Sequence, residues 1–222
     1  MIYITGDTHG EKQRFLQLEK EKKLTEKDIV IVCGDFGFVF FNDRSETRIL
    51  DSLEKKPYHI CFIDGNHERF PTIYSYPEEL WCGGRVHRLR KNILHLMRGQ
   101  VFTVEGKKIF TMGGAYSVDR CMRELNVSYW EEELPNELEY VEAIRNLERN
   151  GNRVDIVLTH TCPVSVIREL GYENDEHDIE LTSFLERLKD EIKYSRWYFG
   201  HWHMDKRINE KFRAVYYNVI QQ

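Results

Sequence analysis

Ile29-Val30-Ile31-Val32-Cys33-Gly34-Asp35 is an apolar, β-branched run closed by a glycine and a carboxylate, and it reads as a short strand ending in a reactive turn. The same pattern recurs on both sides of it. Ile2–Thr5 runs into Gly6-Asp7-Thr8-His9-Gly10, and His59–Ile63 into Asp64-Gly65-Asn66-His67-Glu68. Further along, Val154–Thr159 runs into His160-Thr161, and Trp197–Phe199 into Gly200-His201-Trp202-His203. Between these runs and the apolar run Ile109–Met112 lie stretches with a helical period of about 3.6 residues: Lys12–Lys22, Ser45–Lys55, Glu137–Asn150 and Ile179–Lys193. In the last, Leu181, Phe184, Leu185 and Leu188 form one stripe. Strands alternating with helices predict an α/β fold. His87–Met112 reads instead as short strands with a turn at Glu105-Gly106, and Lys206–Val219 as a hairpin about Asn209-Glu210. A second sheet, or a mixed one, is therefore expected. No linker, repeat or low-complexity tract divides the 222 residues, which are read as one domain, 1–222. The long irregular stretches Glu68–Gly84 and Gly113–Pro135 leave strand ends beside the reactive turns and are expected to wall a substrate site.

The Asp, His and Asn side chains at these strand ends offer carboxylate, amide and imidazole donors without thiolate, the set that Mn, Fe and Zn accept. They are too many for one ion. A two-metal site is the expectation, and with it phosphoryl chemistry. Asp7 and His9, like His201 and His203, are separated by one residue, so a strand end or tight turn can aim both to one side, with adjacent glycines supplying positive φ. The formal charge of -5 with mixed surface signs gives no broad basic field for a nucleic-acid backbone. Met1-Ile2-Tyr3-Ile4-Thr5 shows no signal-peptide pattern, and no apolar run of about 18 residues appears. A soluble cytoplasmic protein acting on a small phosphorylated substrate, away from membranes, is expected. Nothing in the sequence sets its oligomeric state. The five cysteines are odd in number and lack Cys-x-x-Cys spacing, which suggests free buried thiols; Cys162, two residues after His160, has a nucleophilic alternative.

Taken together, Gly6-Asp7-x-His9, Gly34-Asp35, Gly65-Asn66-His67-Glu68, Thr159-His160 and Gly200-His201-x-His203 resemble the calcineurin-like metallophosphoesterase superfamily. The resemblance implies a four-layer αββα sandwich with a dinuclear centre of Mn, Fe or Zn, sometimes Ni or Mg. It implies that Asp7, His9 and His203 hold one ion, that Asn66, His160 and His201 hold the other, and that Asp35 bridges them. A hydroxide shared by two such ions would attack phosphorus in line with the leaving oxygen. His67, left uncoordinated by the family pattern, would protonate the leaving alkoxide.

The pattern departs from that of the serine/threonine protein phosphatases of the superfamily. Their second motif continues to an Asp-Arg pair, whereas here it reads Gly34-Asp35-Phe36-Gly37-Phe38-Val39-Phe40-Phe41; their arginine before Gly-Asn-His is here Asp64. Arg123 or Arg120 of the Gly113–Pro135 loop would replace the missing phosphate-binding guanidinium, with Asn66 also at the substrate, or else these arginines pair with nearby Glu. Asp64 either orients His67 or caps the turn before Asn66, with Asp119 as another candidate for the orienting role. The aromatics Phe36, Phe38, Phe40, Phe41, Tyr116, Tyr129 and Trp130 either stack a substrate ring or pack a core. Glu131-Glu132-Glu133 reads as a solvated acidic edge. Monoester hydrolysis is the favoured activity, with a phosphodiesterase and a non-catalytic scaffold as alternatives.

Overall fold

The computed structural model describes residues 1–222. β1 (Ile2–Thr5), β2 (Ile29–Cys33) and β3 (His59–Ile63) pair in parallel, joined through α1 (Gln13–Glu21) and α2 (Arg44–Glu54). α2 starts where the Asp43 carboxylate accepts the backbone N–H of Glu46, a side-chain cap. After a one-turn helix, α3 (Phe70–Ile73), the sheet grows by β4 (Glu78–Trp81), β5 (Gly84–Arg90) and β6 (Ile93–Leu96), with β13 (Ile220–Gln221) closing the other edge. The order of this first sheet is β13-β1-β2-β3-β6-β5-β4. The second sheet takes β7 (Gln100–Val104), β8 (Lys107–Met112), β9 (Ile156–Thr159), β10 (Arg196–Phe199), β11 (Lys206–Arg207) and β12 (Phe212–Ala214), in the order β11-β12-β10-β9-β8-β7. α4 (Glu137–Arg149) connects β8 to β9, and α5 (Val164–Leu170) and α6 (Ile179–Glu191) connect β9 to β10.

The central strands β1, β2 and β9 are buried along their whole length because both faces are covered. Alternate residues sort into different cores. Ile2, Ile4, Ile29, Ile31, Cys61 and Ile63 face Ile109, Ile156, Leu158 and Tyr198 between the sheets. Tyr3, Val30, Val32, Ile60 and Phe62 pack outward on Phe15 and Leu18 of α1 and Leu50 and Leu53 of α2. Phe110, Met112 and Val157 pack on Ala143 and Leu147 of α4 and on Leu181, Phe184, Leu185 and Leu188 of α6. Each such fully buried side chain contributes about 1.5–3 kcal/mol of transfer free energy. Three cores between four layers make the αββα sandwich. No helix is long and apolar enough to cross a membrane.

Two expectations change. Glu68–Gly84 is not an irregular wall, since it folds into α3 and the edge strand β4. α5 was not foreseen, because at seven residues it is too short to declare a period. The Asn209-Glu210 hairpin and the Glu105-Gly106 turn form as expected, the latter with positive φ at both residues.

Candidate metal centre

Asp7 and His9 follow β1, Asp35 follows β2, Asn66 follows β3, His160 follows β9, and His201 and His203 follow β10. The carboxyl ends of parallel strands from both sheets thus supply all seven side chains. Convergence is achieved by turning, not by extension. Asp7 (φ 44°), His9 (φ 44°), Asp35 (φ 50°), His201 (φ 66°) and His203 (φ 46°) are all left-handed, a conformation costing a non-glycine residue about 1–3 kcal/mol. The strained torsions are therefore carried by these residues themselves as well as by glycines. The Arg14 guanidinium steadies the first turn by donating to the carbonyls of Gly6 and Asp7. Gly34 does supply positive φ (85°), and it also makes room, because a Cβ there would overlap the His160 ring. Gly65 gives room alone: a Cβ would overlap the Asp35 carboxylate.

One donor atom from each of Asp7, His9, Asp35 and His203 lies within 4.8 Å of the others. His9 Nε2 stands 2.9 Å from His203 Nε2 and 3.6 Å from Asp35 Oδ2. On the other side of Asp35, His160 Nε2 lies 3.4 Å from Oδ1. Asn66 Oδ1 lies 3.0 Å from His160 Nε2 and 3.2 Å from His201 Nδ1. Asp35 therefore stands between two donor groups. Asp7, Asp35, Asn66 and His160 are buried, while His9 and His203 open toward solvent.

The donor set fits cations. His160 Nδ1–H donates to the Cys33 carbonyl at 2.9 Å, so in the neutral ring Nε2 aims its lone pair at the oxygens of Asn66 and Asp35. The Asn66 amide is oriented too, its Nδ2 donating to Ser117 Oγ at 2.9 Å and leaving Oδ1 inward. Asp7 Oδ2 is buried without a hydrogen-bond partner. Lone pairs facing lone pairs around an orphaned carboxylate oxygen call for positive charge. Burial pushes Asp7 up to about 8 despite His160, and burial with the nearby His160 charge pushes His201 down to about 3. At Asp35 burial is outweighed by His160, His67 and His9, which hold it down to about 2.

Residues 1–205 match the family model described as calcineurin-like phosphoesterase. The chain belongs to that family. It is thus a metal-dependent hydrolase of phosphoester bonds, and the sandwich is that family's α/β type. No curated protein sequence matches the chain.

In this phosphoesterase His67 stands apart from the inward-facing donors. Its backbone N–H donates to Asp35 Oδ1 at 2.9 Å, and its ring packs 5.1 Å from that of His9 and 6.2 Å from that of Phe40, centroid to centroid. Arg123 Nη2 sits 3.1 Å from His67 Nε2 and 2.8 Å from Asp119. The loop thus brings Arg123 to the site.

Asp64 does not orient His67. Its Oδ1 takes His95 Nε2 at 2.9 Å and its Oδ2 takes Arg98 Nε and Nη2 at 2.8 and 2.6 Å, because a buried guanidinium requires a buried carboxylate. Asp119 reaches His67 only through the Arg123 guanidinium that it pairs with. Arg120 is also corrected: it is spent on Glu133 at 2.9 Å and stacks over Tyr116 and Tyr129, bracing the loop. Glu133 is accordingly buried, and only its two neighbours fit a solvated acidic edge. Phe36 and Phe38 are core, Phe36 lying flat on Phe62. Cys33, Cys61 and Cys162 are buried free thiols, whereas Cys82 and Cys121 are free but exposed. Burial pushes the Cys162 thiol well up, which leaves no ready thiolate nucleophile.

Several supporting groups had no role assigned from the sequence. Glu68 is wholly buried and accepts the Phe36 N–H at 2.6 Å, fixing the loop after Asp35. Tyr216 stacks on His203 at 4.8 Å between ring centroids, and Arg14 lies over Tyr216. Glu68 was visible within a motif without a role, and Arg14 was one of several polar residues on a helical stretch.

Proposed function

We propose that the chain is a phosphomonoesterase in which Asp7, His9 and His203 hold one divalent cation, Asn66, His160 and His201 hold a second, and Asp35 serves both. Such a cation pair supplies an acidified water and neutralises phosphoryl charge. Mn, Fe and Zn suit the oxygen and imidazole donors. The observation that carries the monoester reading is the guanidinium of Arg123 beside His67 at the edge of the donor cluster. A dianionic phosphate that displaced the contact between them would receive two parallel N–H donors from Arg123, a geometry that a guanidinium fork favours. His67 then holds the proton that the leaving alkoxide takes up. Burial lowers the pKa of the imidazole, Asp35 opposes that, and Arg123 adds to it, so phosphate arriving at Arg123 favours the protonated ring.

The commitment of Arg120 to Glu133 leaves Arg123 as the one loop arginine of the two at the site, and this favours a phosphodiesterase as the second reading. Hydrolysis of p-nitrophenyl phosphate and bis-p-nitrophenyl phosphate by Mn²⁺-loaded protein separates the two. Faster monoester turnover that Arg123→Ala reduces supports the phosphatase. Faster diester turnover that is indifferent to Arg123→Ala supports the diesterase.

A further inference from the structure

Beside the donor cluster, on the side of His201 and His203, lies a cleft of about 530 Å³ that neither Arg123 nor His67 enters. This is the size range of pockets that enclose small organic molecules. One wall is aromatic: Tyr172 and Trp202 stack at 4.8 Å with an interplanar angle of 29°. The rest of its charge is negative, from Glu173, Asp175 and Asp178, with no Lys or Arg in the lining. Asp175 is answered by His177 at 2.9 Å, but Glu173 has no ion-pair partner. Asp178 is the telling group. It is 95% buried, and its Oδ1 accepts the Tyr116 N–H at 2.8 Å. Its Oδ2 accepts no hydrogen bond from the protein and is not among the atoms sealed from solvent, so the cleft is where it can meet a donor.

We infer that this cleft receives the organic group of the substrate and selects one bearing a protonated amine. The inference rests on the phosphoester reading and narrows it to zwitterionic substrates, with phosphate at the donor cluster and ammonium at Asp178 and Glu173. The aromatic wall suits the alkyl part and the face of a cation. A second phosphate or carboxylate on the organic group would meet three carboxylates and is rejected.

The test uses non-hydrolysable ligands, so that it does not depend on turnover. Calorimetric titration of the Mn²⁺-loaded chain with 3-aminopropylphosphonate and n-propylphosphonate should give a Kd about tenfold or more lower for the aminated ligand. The ratio should fall toward one in Asp178→Asn, whose amide oxygen can still accept from Tyr116, and should shrink in the exposed variant Glu173→Gln. Equal Kd values for the two phosphonates in the wild type would overturn the inference even if p-nitrophenyl phosphate is hydrolysed. A preserved tenfold ratio without hydrolysis of either nitrophenyl ester or of 3-aminopropyl phosphate would uphold the cleft and overturn the phosphoesterase reading.

Discussion

His67 touches the donor cluster through its backbone N–H and through its ring against His9, and meets the loop at Arg123. Replacing it by alanine removes a proton donor but no inward-facing metal donor. The expected result of His67→Ala is a fall in kcat of about 10²–10⁴-fold with bound metal, measured by mass spectrometry, unchanged; loss of metal in that variant would make His67 a ligand. Gly65→Ala should act in the opposite way. Its new Cβ would overlap the Asp35 carboxylate, so metal affinity and the thermal midpoint should both drop. A variant with wild-type affinity would show that Asp35 has another place to sit. The left-handed torsions at Asp7, His9, Asp35, His201 and His203 belong to the same logic, since strain of this kind persists where a site over-determines it.

Behind β3 the pair Asp64 and Arg98 joins the sandwich to the loop before α4, Arg98 also donating to the Glu132 carbonyl and pairing with Glu139 at 3.1 Å. Arg98→Ala leaves a buried carboxylate unanswered and should destabilise the fold by about 3–5 kcal/mol, read as a shifted urea midpoint at constant slope. At Asp64 burial is outweighed by Arg98 and His95, which hold its folded-state pKa far below the ordinary carboxylate range. Because that value lies below the unfolded one, the stabilisation is complete above about pH 4 and drains away as pH falls further. The wild type should therefore lose urea resistance below pH 4 more steeply than Arg98→Ala; parallel pH profiles would remove Asp64 from acid stability. This network also marks where legibility ended. The strands and long helices were readable because Ile29–Cys33 or Leu181–Leu188 declare their own periods. Asp64 was misread because an acid beside Asn66 and His67 looks functional until Arg98, 34 residues away, is seen to claim it. Glu133 was misread for the same reason, and Arg120 stayed open between phosphate and a Glu partner: such a pair leaves no local spacing.

Across the whole molecule, the parallel strands β1, β2, β3, β9 and β10 direct their carboxyl ends to one site shared by the two sheets. The turns that follow them were readable as motifs, but the tilt that brings His160 against Asn66 was not, since it depends on how the sheets pack. Cations bound there tie the sheets together and bind only the folded state. Chelation should thus lower stability, by about 2.7 kcal/mol per site when free metal had stood at a hundred times its Kd, and a thermal midpoint indifferent to chelator would deny that coupling. The most direct measurement is the number of ions that chelator-stripped protein takes up from Mn²⁺, followed by calorimetry with activity read at each addition. Two ions per chain are expected, with hydrolysis of p-nitrophenyl phosphate appearing as the second site fills and with uptake impaired in Asp35→Asn. Uptake of one ion or none, or full activity in the stripped protein, would contradict a paired-metal centre.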